Sequence, residues 1–72
     1  MTNEKIKQIV TDAVEAAYAA QSKETIVQLG SVSDAVQSAI DGIDFSEVDG
    51  MTEKEAYDFY YDWALDGIKS VL

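Results

Sequence analysis

The stretch MTEKEAYDFYYDWALDGIKSVL, residues 51–72, holds the clearest helix start in the chain and sets the expected architecture. Thr52 and Glu55 stand three residues apart at the head of an apolar-periodic run. That is the spacing of a capping box: the hydroxyl accepts from the N3 amide, and the carboxylate reaches back to the cap's own N–H. Met51 and Ala56 hold the positions of a hydrophobic staple around the same start. No proline interrupts the run, so the spacing predicts one helix from about Glu53 to Val71.

Two features of this helix bear on function. The first is the width of its apolar face. Ala56, Phe59, Tyr60, Trp63, Ala64, Gly67 and Val71 make one side, and Tyr57, Tyr61, Leu65, Ile68 and Leu72 extend it. At ~100° per residue the arc covers roughly 200–220°, against the ~100° or more expected of a surface helix. Either the helix is central and touches several others, or part of it meets a partner. Tyrosine and tryptophan are enriched at interface hot spots. Tyr57, Tyr61, Leu65 and Leu72 are therefore expected to face a partner chain, most simply a second copy, giving a homodimer.

The second feature is a stripe of carboxylates. Glu55, Asp58, Asp62 and Asp66 recur at spacings of three, four and four. Like charges so placed destabilise a helix by roughly 0.2–0.5 kcal/mol per pair. Lys69 is read as the only cation on the helix able to relieve them. Their crowding should raise their pKa values and make the fold more stable as pH falls from 7 toward about 5. A bland account is a solvated face, which charge runs usually are. The functional account is a row of charges about 5–6 Å apart that imitates the phosphates of a nucleic acid.

The remaining 50 residues also read as helix. Thr2 or Asn3 can cap a segment in which Ile6, Ile9, Val10, Ala13, Ala17 and Ala20 recur at helical spacing. Ser22 can cap a short second helix holding Ile26, Val27 and Leu29, though one bent helix from 3 to 29 is also allowed. Ser33 is expected to cap a third helix, with Asp34 near its positive end. Gly30, Gly42 and Gly50 fall where periodicity breaks, as helix C-caps do. Residues 43–50 read as a loop anchored by Phe45 and Val48. The expected fold is all-α: one domain, 1–72, a compact bundle of three or four helices with a long C-terminal helix. Beginning at Met1 with no tag or linker, the chain reads as a complete small product.

Composition narrows the function. The net charge is −9, from 14 acids and five lysines, and arginine is absent. The imbalance lies in one half: residues 41–72 carry nine acids and two lysines. Such a chain should not bind nucleic acid directly, should be repelled by anionic membranes, and should be drawn to basic surfaces. Without Cys or His there is no disulfide, no structural zinc site, no thiol nucleophile and no imidazole base. Neither a cofactor nor a resident metal is expected. Asp41, Asp44, Glu47 and Asp49 invite a calcium reading, but setting Gly50 at the sixth loop position puts Phe45 where the first ligand must be. No signal peptide or membrane span is visible, so a cytoplasmic location is expected.

Residues 29–33, Leu-Gly-Ser-Val-Ser, resemble the Leu-Gly-x-Asp-Ser-Leu attachment site of acyl carrier proteins. Val32 stands in place of the Asp and Asp34 in place of the second Leu. The resemblance implies a helical carrier modified at Ser33.

Three functions are expected from these features. The leading one is a small non-enzymatic inhibitor that docks its carboxylates on a basic protein, such as a nucleic-acid-binding enzyme or complex. By analogy of type, inhibitors of this kind are encoded by phages and mobile elements, anti-CRISPR and anti-restriction proteins among them. The second is a homodimeric structural or adaptor protein whose acidity serves solubility. The third is the carrier modified at Ser33.

Overall fold

The computed structural model describes residues 1–72, and the chain is an all-α bundle. Five helices occur in order: α1 (Asn3–Ala19), α2 (Lys23–Leu29), α3 (Val32–Asp41), α4 (Phe45–Asp49) and α5 (Glu53–Val71). No cis peptide occurs, and the only positive φ is that of Gly30, +81°, at the C-cap of α2. A side chain there would be strained, which explains a glycine at this turn.

Local chemistry sets most boundaries. Thr2 caps α1 and accepts from the Lys5 amide at 3.1 Å. Ser22 caps α2 and accepts from the Thr25 amide, so residues 3–29 form two helices. Gly42 and Gly50 close α3 and α4. The capping box of α5 is complete: Thr52 N–H donates to the Glu55 carboxylate at 3.0 Å, and Glu55 N–H donates to the Thr52 hydroxyl at 3.1 Å.

Two local expectations are corrected. Residues 43–50 are not simply a loop. Asp44 accepts from the Glu47 amide at 3.2 Å and caps the single turn of α4. Ser33 is not a cap. The cap of α3 is Ser31, which makes no side-chain bond, and Ser33 lies exposed in the first turn. Both serines precede the same apolar run, and spacing alone does not separate positions two apart.

The core is organised around α1. Ile6, Val10, Ala13, Val14 and Ala17 are wholly buried, and α1 packs against α5, α3 and α4. From α5 come Ala56, Tyr60, Ala64 and Ile68, a stripe at four-residue spacing. Ala39 of α3 and Val48 of α4 complete the buried set. Alanines on both long helices let their backbones approach closely, and no polar side chain is buried among them. The central element is thus α1 rather than the wide-faced α5. In α2 no residue is buried, and Val27 is 82% exposed.

Gly67 interrupts α5 with nothing within 4 Å of where a Cβ would stand. Gly67→Ala should therefore raise stability by about 0.5–1 kcal/mol, the helix-interior difference between the two residues. A urea titration checks this. A loss would mean that the open space beside Gly67 is occupied in solution.

Candidate functional site: an acidic, aromatic edge of the last helix

The twelve apolar and aromatic positions of α5 do not share one environment. The buried stripe takes the middle of the arc. Tyr57, Tyr61 and Leu65 flank it on one side, half-buried and packed against the core. Tyr57 and Tyr61 stack with ring centroids 6.3 Å apart. On the other flank Phe59 and Trp63 are 48% and 44% exposed. Leu72, at the end of the helix, is exposed as well. The side expected to meet a partner is thus largely covered, and two aromatics of the other side, Phe59 and Trp63, stand in the open. Hydrophobicity alone does not distinguish the flanks, because which one is covered depends on where α1 and its neighbours lie. A Tyr61→Glu or Leu65→Glu substitution would consequently injure the core before it could report on a partner interface.

The carboxylate stripe also divides. Glu55 is occupied by its cap, and hydrogen bonds from the Thr52 backbone and then the Thr52 side chain hold its carboxyl below the ordinary value. Asp58 accepts from Lys54 at 2.6 Å, one helical turn away. That pair corrects the expectation that Lys69 alone could relieve the stripe. Lys69 is in no ion pair, whereas Lys54 is held charged by the Asp58 hydrogen bond and charge, its pKa raised. Asp62 and Asp66 take part in no ion pair. Elsewhere Glu53 pairs with Lys5 at 3.0 Å and Asp49 with the Met1 amine.

Acidification should act on Glu55 in the direction opposite to that expected of the stripe. A carboxyl whose folded pKa is depressed adds stability above its ordinary pKa of about 4.3, and that stability is lost as pH falls through the folded value. Glu55 therefore opposes the expected gain at low pH. Thermal melts below pH ~4 should show a falling midpoint that is flatter in Glu55→Gln. An equal slope in both proteins would show that the capping carboxylate is not the group titrating.

Around Phe59 and Trp63 the surface is hollowed twice. One cleft, about 230 Å³, opens between α3, α4 and α5. Asp44, Glu47, Met51, Phe59, Tyr60 and Trp63 line most of it. A second hollow of the same volume lies between Phe59, Trp63, Asp62 and Asp66. The two rings thus have carboxylates on both sides, and no cation lines either hollow. Asp44 and Glu47, expected only in an acidic loop, belong to the first. Asp49 does not, being engaged by the Met1 amine, and Asp41 accepts from Gln37. No three acids stand close enough to hold a metal ion. The cleft escapes sequence reasoning because its α4 wall lies in residues 43–50, which read as loop. The signal for it was Asp44 three residues before Glu47, a capping spacing.

Comparison with family models, curated proteins and solved structures finds no match to this chain. No helix is long and apolar enough to cross a membrane.

Proposed function

We propose that this chain is a small, non-enzymatic, cytoplasmic binding protein that docks the Phe59–Trp63 edge of α5 on a basic protein and blocks it. The basic partner is a surface built for nucleic acid, and the role is that of the inhibitors carried by phages and mobile elements. One observation carries the reading. Asp62 and Asp66 are unpaired beside two half-exposed aromatic rings, while the ion pairs of the chain are all made by other acids. Exposed aromatics supply contact area, and an uncompensated field steers a basic partner toward them. Immobilised protein should capture nucleic-acid-binding proteins at low salt and release them at high salt. Capture that ignores salt would remove the electrostatic basis.

The homodimer reading keeps one specific support, in a different place. Two copies meeting through the α5 edge would bring Asp62 and Asp66 of each against their equivalents, which is unfavourable. Ile26 and Val32, both partly exposed, line a hollow of about 340 Å³ on the less charged half of the chain. A dimer should use that hollow, and light scattering of the wild type against Ile26→Asp decides it. The carrier reading has no further support, and an unmodified intact mass from cells removes it.

A further inference from the structure

We propose that the cleft between α3, α4 and α5 receives an arginine side chain of the docked partner, its guanidinium laid on Trp63 and Phe59 and held by Glu47 and Asp44. The inference rests on the docking reading above and names what the docked surface must present.

Four observations meet here. The cleft is small: 230 Å³ falls below the ~300–1,000 Å³ of small-molecule sites and suits a single side chain. Its wall is aromatic. Tyr60 meets Phe59 edge-on, with centroids at 5.1 Å and 74°, and Trp63 at 6.4 Å and 60°. Both outer rings keep about half their surface open. Its rim is anionic: the Glu47 side chain has no partner, and Asp44 commits one oxygen, Oδ1, to its cap. Finally, Tyr60 is only 6% exposed, yet its hydroxyl makes no hydrogen bond in the chain. It is not a sealed polar atom either, so its tip opens on the cleft. The hydroxyl has no partner within the chain and is free to accept from a donor that enters the cleft.

The electrostatics agree. Burial, then the charges of Glu47 and Asp44, push the Tyr60 phenol above its ordinary value. The hydroxyl therefore sits in negative potential, which a cation would relieve. Arginine fits better than lysine. Its planar guanidinium stacks on rings, offers five donors in a fixed fork, and sheds water more easily than an ammonium.

The probe is an acetylated, amidated Gly-Arg-Gly-Arg-Gly peptide, with lysine and citrulline versions as controls. Trp63, the single tryptophan, reports by fluorescence, and calorimetry gives affinities. At low salt the arginine peptide should shift Trp63 emission and bind about tenfold more tightly than the lysine peptide. The citrulline peptide, isosteric but neutral, should not bind. Glu47→Gln and Tyr60→Phe should each weaken the arginine peptide about fivefold, while leaving the weaker lysine binding nearly unchanged. Melting curves of both variants verify that the fold persists. Equal arginine and lysine affinities that fall with Asp62→Lys but ignore Glu47→Gln would overturn the cleft and leave the docking reading standing. Binding of the citrulline peptide would overturn the requirement for charge. No binding of either cationic peptide to the wild type would sink both readings.

Discussion

Asp62→Lys should make this protein more stable and a poorer binder at the same time. Asp62 lies one turn from Asp58 and one turn from Asp66 on an exposed face of α5. A cation there gains two carboxylate neighbours in place of two repulsions. At roughly 0.2–0.5 kcal/mol for each repulsion relieved and each attraction gained, the gain is about 0.8–2 kcal/mol. For a chain of this size that raises the melting temperature by about 3–16 °C. The same change removes two units of negative charge from the edge carrying Phe59 and Trp63. Affinity for the arginine peptide should drop about tenfold at low salt, and by less as salt screens the face. The position matters: Asp58→Lys would destroy the pair with Lys54 and set two lysines a turn apart, so its stability gain should be smaller. A more stable Asp62→Lys protein with unchanged affinity and salt slope would mean that the face is merely solvated.

Ile6→Ala should have the largest effect on stability of any conservative truncation on α1. Ile6 is among the largest side chains with no exposure, and it lies in the helix against which α3, α4 and α5 all pack. Removing its buried methyl and methylene groups costs about 2–5 kcal/mol, including the cavity left behind. A 72-residue domain has about 4–11 kcal/mol in total, so between about a fifth and all of the stability should go. In urea the midpoint should fall by about 2 M or more with little change in slope, given slopes near 1 kcal/mol/M for small domains. Val27→Ala, on the exposed α2, should stay within about 0.5 kcal/mol. Equal losses at the two positions would contradict a core centred on α1.

The parts of this architecture that are legible in the sequence are those fixed within a few residues of chain. The Thr52–Glu55 box predicts the start of α5, and Gly30, Gly42 and Gly50 mark three helix ends, because caps are local chemistry. α4 escapes a search for periodicity because five residues are too few to show a period, and only the Asp44–Glu47 spacing betrays it. The Lys54–Asp58 pair is readable at four-residue spacing, but following the acids alone passes over it. What no local signal supplies is the choice between the flanks of α5. Tyr57, Tyr61 and Leu65 are no more apolar than Phe59 and Trp63, and only the position of α1 and its neighbours covers one set and bares the other. The candidate site depends on the same non-local choice. Its acids are visible as composition, whereas its cleft exists only once α3, α4 and α5 are assembled.

The burial of α1 against α5 also bears on how fast the protein can reach this state. These helices stand at opposite ends of the sequence, and the three shorter ones lie between them. Bundles whose neighbouring helices pair in order gain each contact after a short search. Here the apolar face of α1 pairs with a segment that lies beyond α2, α3 and α4. Closing that distance is costly chiefly in entropy, with each doubling of a loop adding about 0.6 kcal/mol. Non-local pairing of this sort slows folding relative to a helical protein rich in local contacts. If the meeting of the two ends of the chain limits folding, Ile6→Ala and Ala64→Gly should slow refolding as well as lower stability.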